Sequence, residues 1–375
     1  MRSSSFRVGG IALILLSGLA LAGLVQALRA SPPREAAGTL TLTNAVDELP
    51  APGGKVEAPV LSPQGDRVAL VVDEYENEAL HLKVGSVWTA DRADGAWREP
   101  RLERQGSVEA VGLVDTYFHP SFAPDGATLL YNHVQVATKV FVPKASTLRS
   151  WVELGSDARR WEAEALGLHG EILEHPRLSP DGAWMVFYVK RKPETRGIWL
   201  LHPASGRLVR ISDQDDKHPV WSPDGTKVLF HHQVGGDALD RVPPGTPEQS
   251  TLGCIDLALG DPAAVTFTRV LLDPPTAGFR YHKHPMLLAD GDLLLFHGAE
   301  SPGGELHLMA RRLRPGSPVT RLDFVQDGRR MEKSKHPSTA GSARVALFVG
   351  SFKGAPARVY QLRPDALDRL EKELR

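Results

Sequence analysis

Apolar residues along this chain fall in short runs, each closed by a turn of Pro, Asp or Gly. The clearest instance is His218-Pro-Val-Trp-Ser-Pro-Asp-Gly-Thr-Lys-Val-Leu-Phe-His-His232. It predicts a short strand, a tight turn and a second strand. Pro223 presets φ at the first corner, Asp224 suits the turn, and Gly225 takes a φ that other residues resist. Thr226 to Phe230 then passes from polar to apolar residues with enough alternation to predict a half-buried strand.

The same unit recurs. Ala58-Pro59 precedes Val-Leu-Ser-Pro-Gln-Gly, His119-Pro120 precedes Ser-Phe-Ala-Pro-Asp-Gly, and His175-Pro176 precedes Arg-Leu-Ser-Pro-Asp-Gly. His284-Pro285 precedes Met-Leu-Leu-Ala-Asp-Gly, and His336-Pro337 opens an eroded copy, Ser-Thr-Ala-Gly-Ser. The six prolines are spaced by 61, 56, 43, 66 and 52 residues. Such periods, each holding several short strands, mark an all-β chain folded as a six-bladed β-propeller of four-stranded blades. The 43-residue unit shows one whole blade: strands at 176–179, 184–189, 197–201 and 207–212, with a turn at Ala204-Ser205-Gly206. Longer units carry loops, as at Gln233 to Gln249. In this reading Asp125, Asp181, Asp224 and Asp290 are turn residues, and Phe122, Leu178, Trp221 and Leu287 belong to the core between blades.

The flanks follow their own patterns. Arg2 and Arg7 precede an uncharged run, Gly10 to Leu28, which reads as an export signal or a signal-anchor retained in the membrane. Small-residue cleavage sites fall after Ala22 and Ala30, and no cysteine follows the run to take a lipid anchor. The positive flank places the rest of the chain outside the cytoplasm, periplasmic or anchored to the inner membrane and facing the periplasm. Residues 1–30 are therefore the signal or anchor, 31–37 a linker, 38–364 the propeller and 365–375 a C-terminal helix. Gly38 to Asn44 alternates Thr and Leu, which predicts a strand, and we expect it to complete the last blade and close the ring. Lys144 to Leu168 has helical character as much as strand and suggests an insertion over one face. Asp365 to Leu374 follows Pro364, starts with an acid and spaces its apolar residues helically.

Composition narrows the function classes. With 44 basic and 45 acidic residues the formal charge is −1, so no broad field recommends nucleic acid as a partner. The single cysteine, Cys254, lies in an expected strand and reads as a small buried hydrophobe. No Gly-x-Ser-x-Gly elbow, His-Glu-x-x-His helix or phosphate loop is present.

Candidate chemistry lies in the histidines. Five of the six copies open with one: His119, His175, His218, His284 and His336, with Ala58 at the sixth position. First strands line a propeller's channel, so these imidazoles would form a ring able to hold a divalent cation such as Zn²⁺ or Mn²⁺. His282 forms His-x-His with His284, and strand alternation would put both on one face. His133, His231, His232 and His297 follow 13 or 14 residues after the motif, on second strands, where they would support the ring or extend it. The plainer reading is that duplication copied a histidine that simply bonds the neighbouring backbone. Against it, an imidazole is expensive to bury unpaired, and the eroded copy lost Pro-Asp-Gly yet kept Lys335-His336-Pro337.

The Ser-Pro-Asp-Gly turn, with an apolar residue ahead of it and a hydrophobic strand behind it, resembles the TolB-like (WD40-like, PD40) six-bladed propellers over about residues 55 to 362. Residues 31 to 54 are too few for the α/β domain that TolB itself carries. The resemblance implies a monomeric, non-catalytic binding module for an envelope protein, peptide or glycan, touching membrane only through an uncleaved N-terminal segment. A histidine-lined channel is also similar to the oligogalacturonate lyase family, which would imply manganese-dependent proton abstraction with His282, Arg280 and Tyr281 as helpers. That family's His-x-Gln-Phe is absent here, since the copies have His-Pro. A prolyl-oligopeptidase-type hydrolase is excluded.

Overall fold

The short apolar runs become strands because most are covered on both faces. In the computed structural model, which describes residues 38–77, 82–109, 113–139, 142–155, 159–234, 247–273, 280–289 and 291–375, the strands pair into six successive antiparallel meanders. Five are consecutive in the chain. They open with first strands Lys55–Leu61, Leu113–Phe122, Glu174–Leu178, Asp216–Trp221 and Tyr281–Leu287; four strands follow in the first and three in each of the others, and Ser107–Val108 pairs in front of Leu113–Phe122. The sixth has Arg329–Thr339, Ala346–Phe352 and Arg358–Leu362, and takes its fourth strand, Val46–Glu48, from the N-terminal side of the chain. Each first strand lies beside the next, and Arg329–Thr339 returns to lie beside Lys55–Leu61. The arrangement is propeller-like.

Six hydrophobic clusters fill the spaces between neighbouring meanders. Ala69 and Val87 meet Phe122 and Tyr131, Leu130 and Val152 meet Met185 and Phe187, and Val186 and Ile198 meet Val228 and Phe230. Leu229 and Leu252 meet Leu294 and Phe296, Leu293 and Leu295 meet Phe348, and Val68 and Leu70 meet Leu347 and Val359. Val228 and Phe230 thus serve one interface while Leu229 serves the next. Val228 to Phe230 is accordingly buried throughout, where a half-buried alternation was expected. Cys254 is a buried member of one cluster.

Two expectations need correction. Gly38–Thr43 does not complete the sixth meander; it runs parallel to Thr320–Gln326 and adds a fifth strand to the fifth meander. Leu40 and Leu42 face the core there, and it is the next strand, Val46–Glu48, that closes the sixth sheet against Arg358–Leu362. The chain can switch sheets because Asn44 takes a positive φ of 48° between the two strands, a conformation Asn tolerates. Lys144 to Leu168 holds no helix among its described residues; Val142–Leu154 and Arg159–Glu162 are the outer strands of the second meander. The turns behave as read: Gly65, Gly126, Gly182, Gly225 and Gly291 each donate back across the turn, at φ near 70–75°. Asp125, Asp181 and Asp224 accept from backbone N–H groups just beyond. Asp290 lies outside the described residues, as do the N-terminal signal or anchor, the linker and most of the Gln233–Gln249 loop. The C-terminal helix, Pro364–Glu373, packs Leu367 and Leu370 against the fifth and sixth meanders.

Candidate functional site

Each first strand breaks register at its X-Pro pair. The ladder shifts between Glu57 and Val60, Phe118 and Ser121, Glu174 and Arg177, Lys217 and Val220, Lys283 and Met286, and Lys335 and Ser338. A bulge is where a strand tolerates proline, which has no N–H for the ladder, and it re-aims the residue beside it. His119, His175, His218, His284 and His336 all sit at φ between 48° and 54°.

The bulges bring these five histidines together. His119 stacks on His175 with centroids 3.7 Å apart, and His175 meets His218 edge-on at 4.2 Å. His218 stacks on His284 at 3.9 Å, and His284 on His336 at 4.6 Å. Two second-strand histidines join them. His231 Nδ1 is 3.1 Å from His218 Nδ1, and His297 packs on His284 at 4.9 Å and on His336 at 5.1 Å. Ala58, Glu57, His119, His175, His284 and His336 line a small cavity of about 50 Å³ on the axis.

Spacing decides which second-strand residues take part. The residue paired with the one before each of the five histidines lies thirteen positions beyond that histidine: Asn132, Tyr188, His231, His297 and Val349. His133 and His232 lie fourteen beyond and point to the other face. His133 bridges Asp115 and Glu153, at 2.7 and 3.2 Å. His232 bonds Asp216 at 2.9 Å, beside Arg269. His282 does not join His284 either. The bulge at His284 cancels the alternation that would have aligned them, and His282 packs edge-on against Phe296 at 4.9 Å. Arg280 turns toward Asp273 at 4.0 Å, and Tyr281 lies under the Lys283 ammonium. Tyr188 was missed in the sequence. Its ring lies 5.8 Å from His175 and 5.5 Å from His218, and its hydroxyl donates to Glu174 at 2.6 Å.

Burial keeps the imidazoles neutral. It pulls His119 down to about 4 and His336 to about 3, and holds His175, His218, His231, His284 and His297 well below the usual range. Neighbouring imidazoles add to the effect for His218 and His284, and nearby lysines add to it for His231 and His297. Neutral rings accept cations, and two nitrogens lack partners: His231 Nε2 and His336 Nδ1 are buried with no hydrogen bond. His284, His297 and His336 each offer a ligand atom, all within 4.8 Å of one another. His297 Nδ1 already accepts from the His336 N–H at 3.1 Å, so it would exchange that bond for a metal.

A larger cavity of about 940 Å³ lies away from the axis, between the first and second meanders. Three of its four arginines are engaged: Arg67 with Asp91, Arg101 with Glu103, and Arg104 with the Tyr131 hydroxyl.

No protein-family model and no curated protein matches the sequence. Among solved structures, the chain is similar to a putative TolB from Agrobacterium tumefaciens, at 14% identity over 83% of this chain and 91% of that one, with a TM-score of 0.46. It is similar to an oligogalacturonate lyase in complex with manganese, at 14% identity over 85% and 91%, with a TM-score of 0.46. It is also similar to the β-propeller domain of the Trilobed protease from Pyrococcus furiosus, at 9% identity over 83% and 95%, with a TM-score of 0.41. These are distant likenesses to TolB-like and other propeller chains.

Proposed function

We propose that this chain is an exported six-bladed β-propeller of four-stranded blades, working as a binding module in the cell envelope. A divalent cation, zinc or manganese, is held on its axis by His284, His297 and His336. The observation carrying the cation is the convergence of three neutral imidazoles within 4.8 Å, one with a buried unpartnered nitrogen. The ion would supply Lewis acidity toward an oxygen ligand. The residues themselves hold neutral donors in place by stacking and exclude bulk water. Export rests on the N-terminal basic and apolar pattern. Among the described residues no helix is long and apolar enough to cross a membrane. The partner is an envelope protein, peptide or glycan, and the module acts as a monomer.

Elemental analysis of the purified chain tests the cation. Roughly one zinc or manganese per chain is expected after incubation with the metal and desalting. His284→Ala or His336→Ala should remove it, while His169→Ala, at an exposed residue bonded to Glu164, should not. Metal-free protein under these conditions would leave a binding module without a cation. The helpers expected for a lyase, Arg280, Tyr281 and His282, lie off the imidazole cluster. Manganese-dependent cleavage of oligogalacturonate by the purified chain would restore the lyase reading.

A further inference from the structure

Two residues after each motif histidine or Ala58 the chain carries Val60, Ser121, Arg177, Val220, Met286 and Ser338. The first five line a mouth cavity of about 330 Å³, at the end of the axis where the Pro-Asp-Gly turns gather. Both serines are used within the fold. Ser121 Oγ donates to the Pro176 carbonyl at 2.8 Å, and Ser338 Oγ accepts from the Leu61 N–H at 2.9 Å. Arg177 is therefore the one charge in an otherwise neutral collar.

Its guanidinium makes no hydrogen bond or ion pair among the described residues. It faces both the mouth cavity and the smaller space beside the imidazoles. Burial draws it down to about 10, with no acid placed to offset the effect. Other deeply set arginines of the chain have partners: Arg311 pairs with Asp273, and Arg269 with Asp216 at 2.7 Å. A guanidinium set back from bulk water without an anion costs stability, and its planar fork matches a carboxylate.

We propose that Arg177 anchors a small monocarboxylate ligand in the mouth cavity, with the ligand's apolar body against Val60, Val220 and Met286. One positive charge in a neutral collar balances one negative charge, whereas a phosphate dianion would leave charge uncompensated. The volume suits a small molecule. This site does not depend on a metal among the histidines.

Benzoate, the neutral isostere benzyl alcohol, and inorganic phosphate serve as probes against the full chain, read by thermal melting and calorimetric titration. Benzoate should raise the melting temperature saturably, and the other two should not. Arg177→Met should weaken benzoate at least about tenfold, the loss of one charge-assisted pair, and should melt at or above the wild type. Arg177→Lys, which keeps charge without the fork, should bind at an intermediate level. The site is overturned by no saturable benzoate effect on the wild type, by an equal effect on Arg177→Met, or by a lowered melting temperature of unliganded Arg177→Met. Binding of phosphate in preference to benzoate would overturn the ligand class.

Discussion

Holding a non-glycine residue at positive φ costs about 1–2 kcal/mol, and five histidines accept that conformation at one level of the axis. His and Asn tolerate it better than most residues, which accounts for part of the choice. Asn would satisfy the backbone equally, so the remaining reason is the stacked column of neutral rings. Replacing His175 separates the two contributions. His175→Asn and His175→Val both remove the ring, but Val resists a left-handed backbone. Urea denaturation should find the Val variant less stable than the Asn variant by about 1–2 kcal/mol; equal stabilities would show that the backbone relaxes. A pH dependence follows from the same rings. His119, His175 and His218 have folded pKa values below the ordinary 6.5, so the unfolded chain binds more protons as pH falls through that value. Their contribution is undiminished above about 6.5 and declines toward about 4, where His119 itself titrates in the fold. The melting temperature should drop by several degrees between pH 7 and pH 5. His119→Gln should flatten that slope, and an unchanged slope would mean the ring is not neutral.

At the scale of elements, the closing strand is short, yet it is tied from several sides. Val46–Glu48 pairs with Arg358–Leu362, Leu49 N–H donates to Val359 at 2.9 Å, and Arg363 grips Asp47 at 2.7 Å. Gly38–Thr43 adds Leu40 and Leu42 to the core between the fifth and sixth meanders. A chain beginning at Ala45 keeps the closing strand, and one beginning at Pro50 loses it. Hydrogen exchange should show protection of Arg358–Leu362 retained in the first chain, with a lowered melting temperature, and lost in the second. Equal protection in both would deny the closing role of Val46–Glu48. Leu42→Ala should cost about 2–5 kcal/mol, since its side chain is 1% exposed. The strand over 38–44 was legible in the sequence because Thr and Leu alternate. Its partner was not, because alternation states which face is buried and is silent on which sheet supplies the neighbour.

For the whole molecule, closure of the first strands makes one axis from residues spread between Ala58 and His336. The repeated turn and the His-Pro pairs made the meanders and the convergence of five histidines readable, since repetition puts equivalent residues at equivalent heights. Membership of the second-strand set was harder. His231 and His232 are adjacent in the sequence, and a single step of alternation sends one to the axis and the other to Asp216. His282 was misplaced because a bulge, set by the following proline, suspends alternation at His284. Arg177 and Tyr188 are not legible in the sequence, because an arginine or tyrosine in a strand carries no motif.

The amino-acid sequence alone determined the local units: strand, turn and strand, the glycines and aspartates of the corners, and the recurrence of His-Pro. These follow from backbone sterics and from periodicity, which act over a few residues. Tertiary structure alone decided which strand closes the ring, which histidines share the axis, and that the Arg177 guanidinium is bonded to no acid among the described residues. Those outcomes depend on what packs against each face, and packing joins residues far apart in the chain.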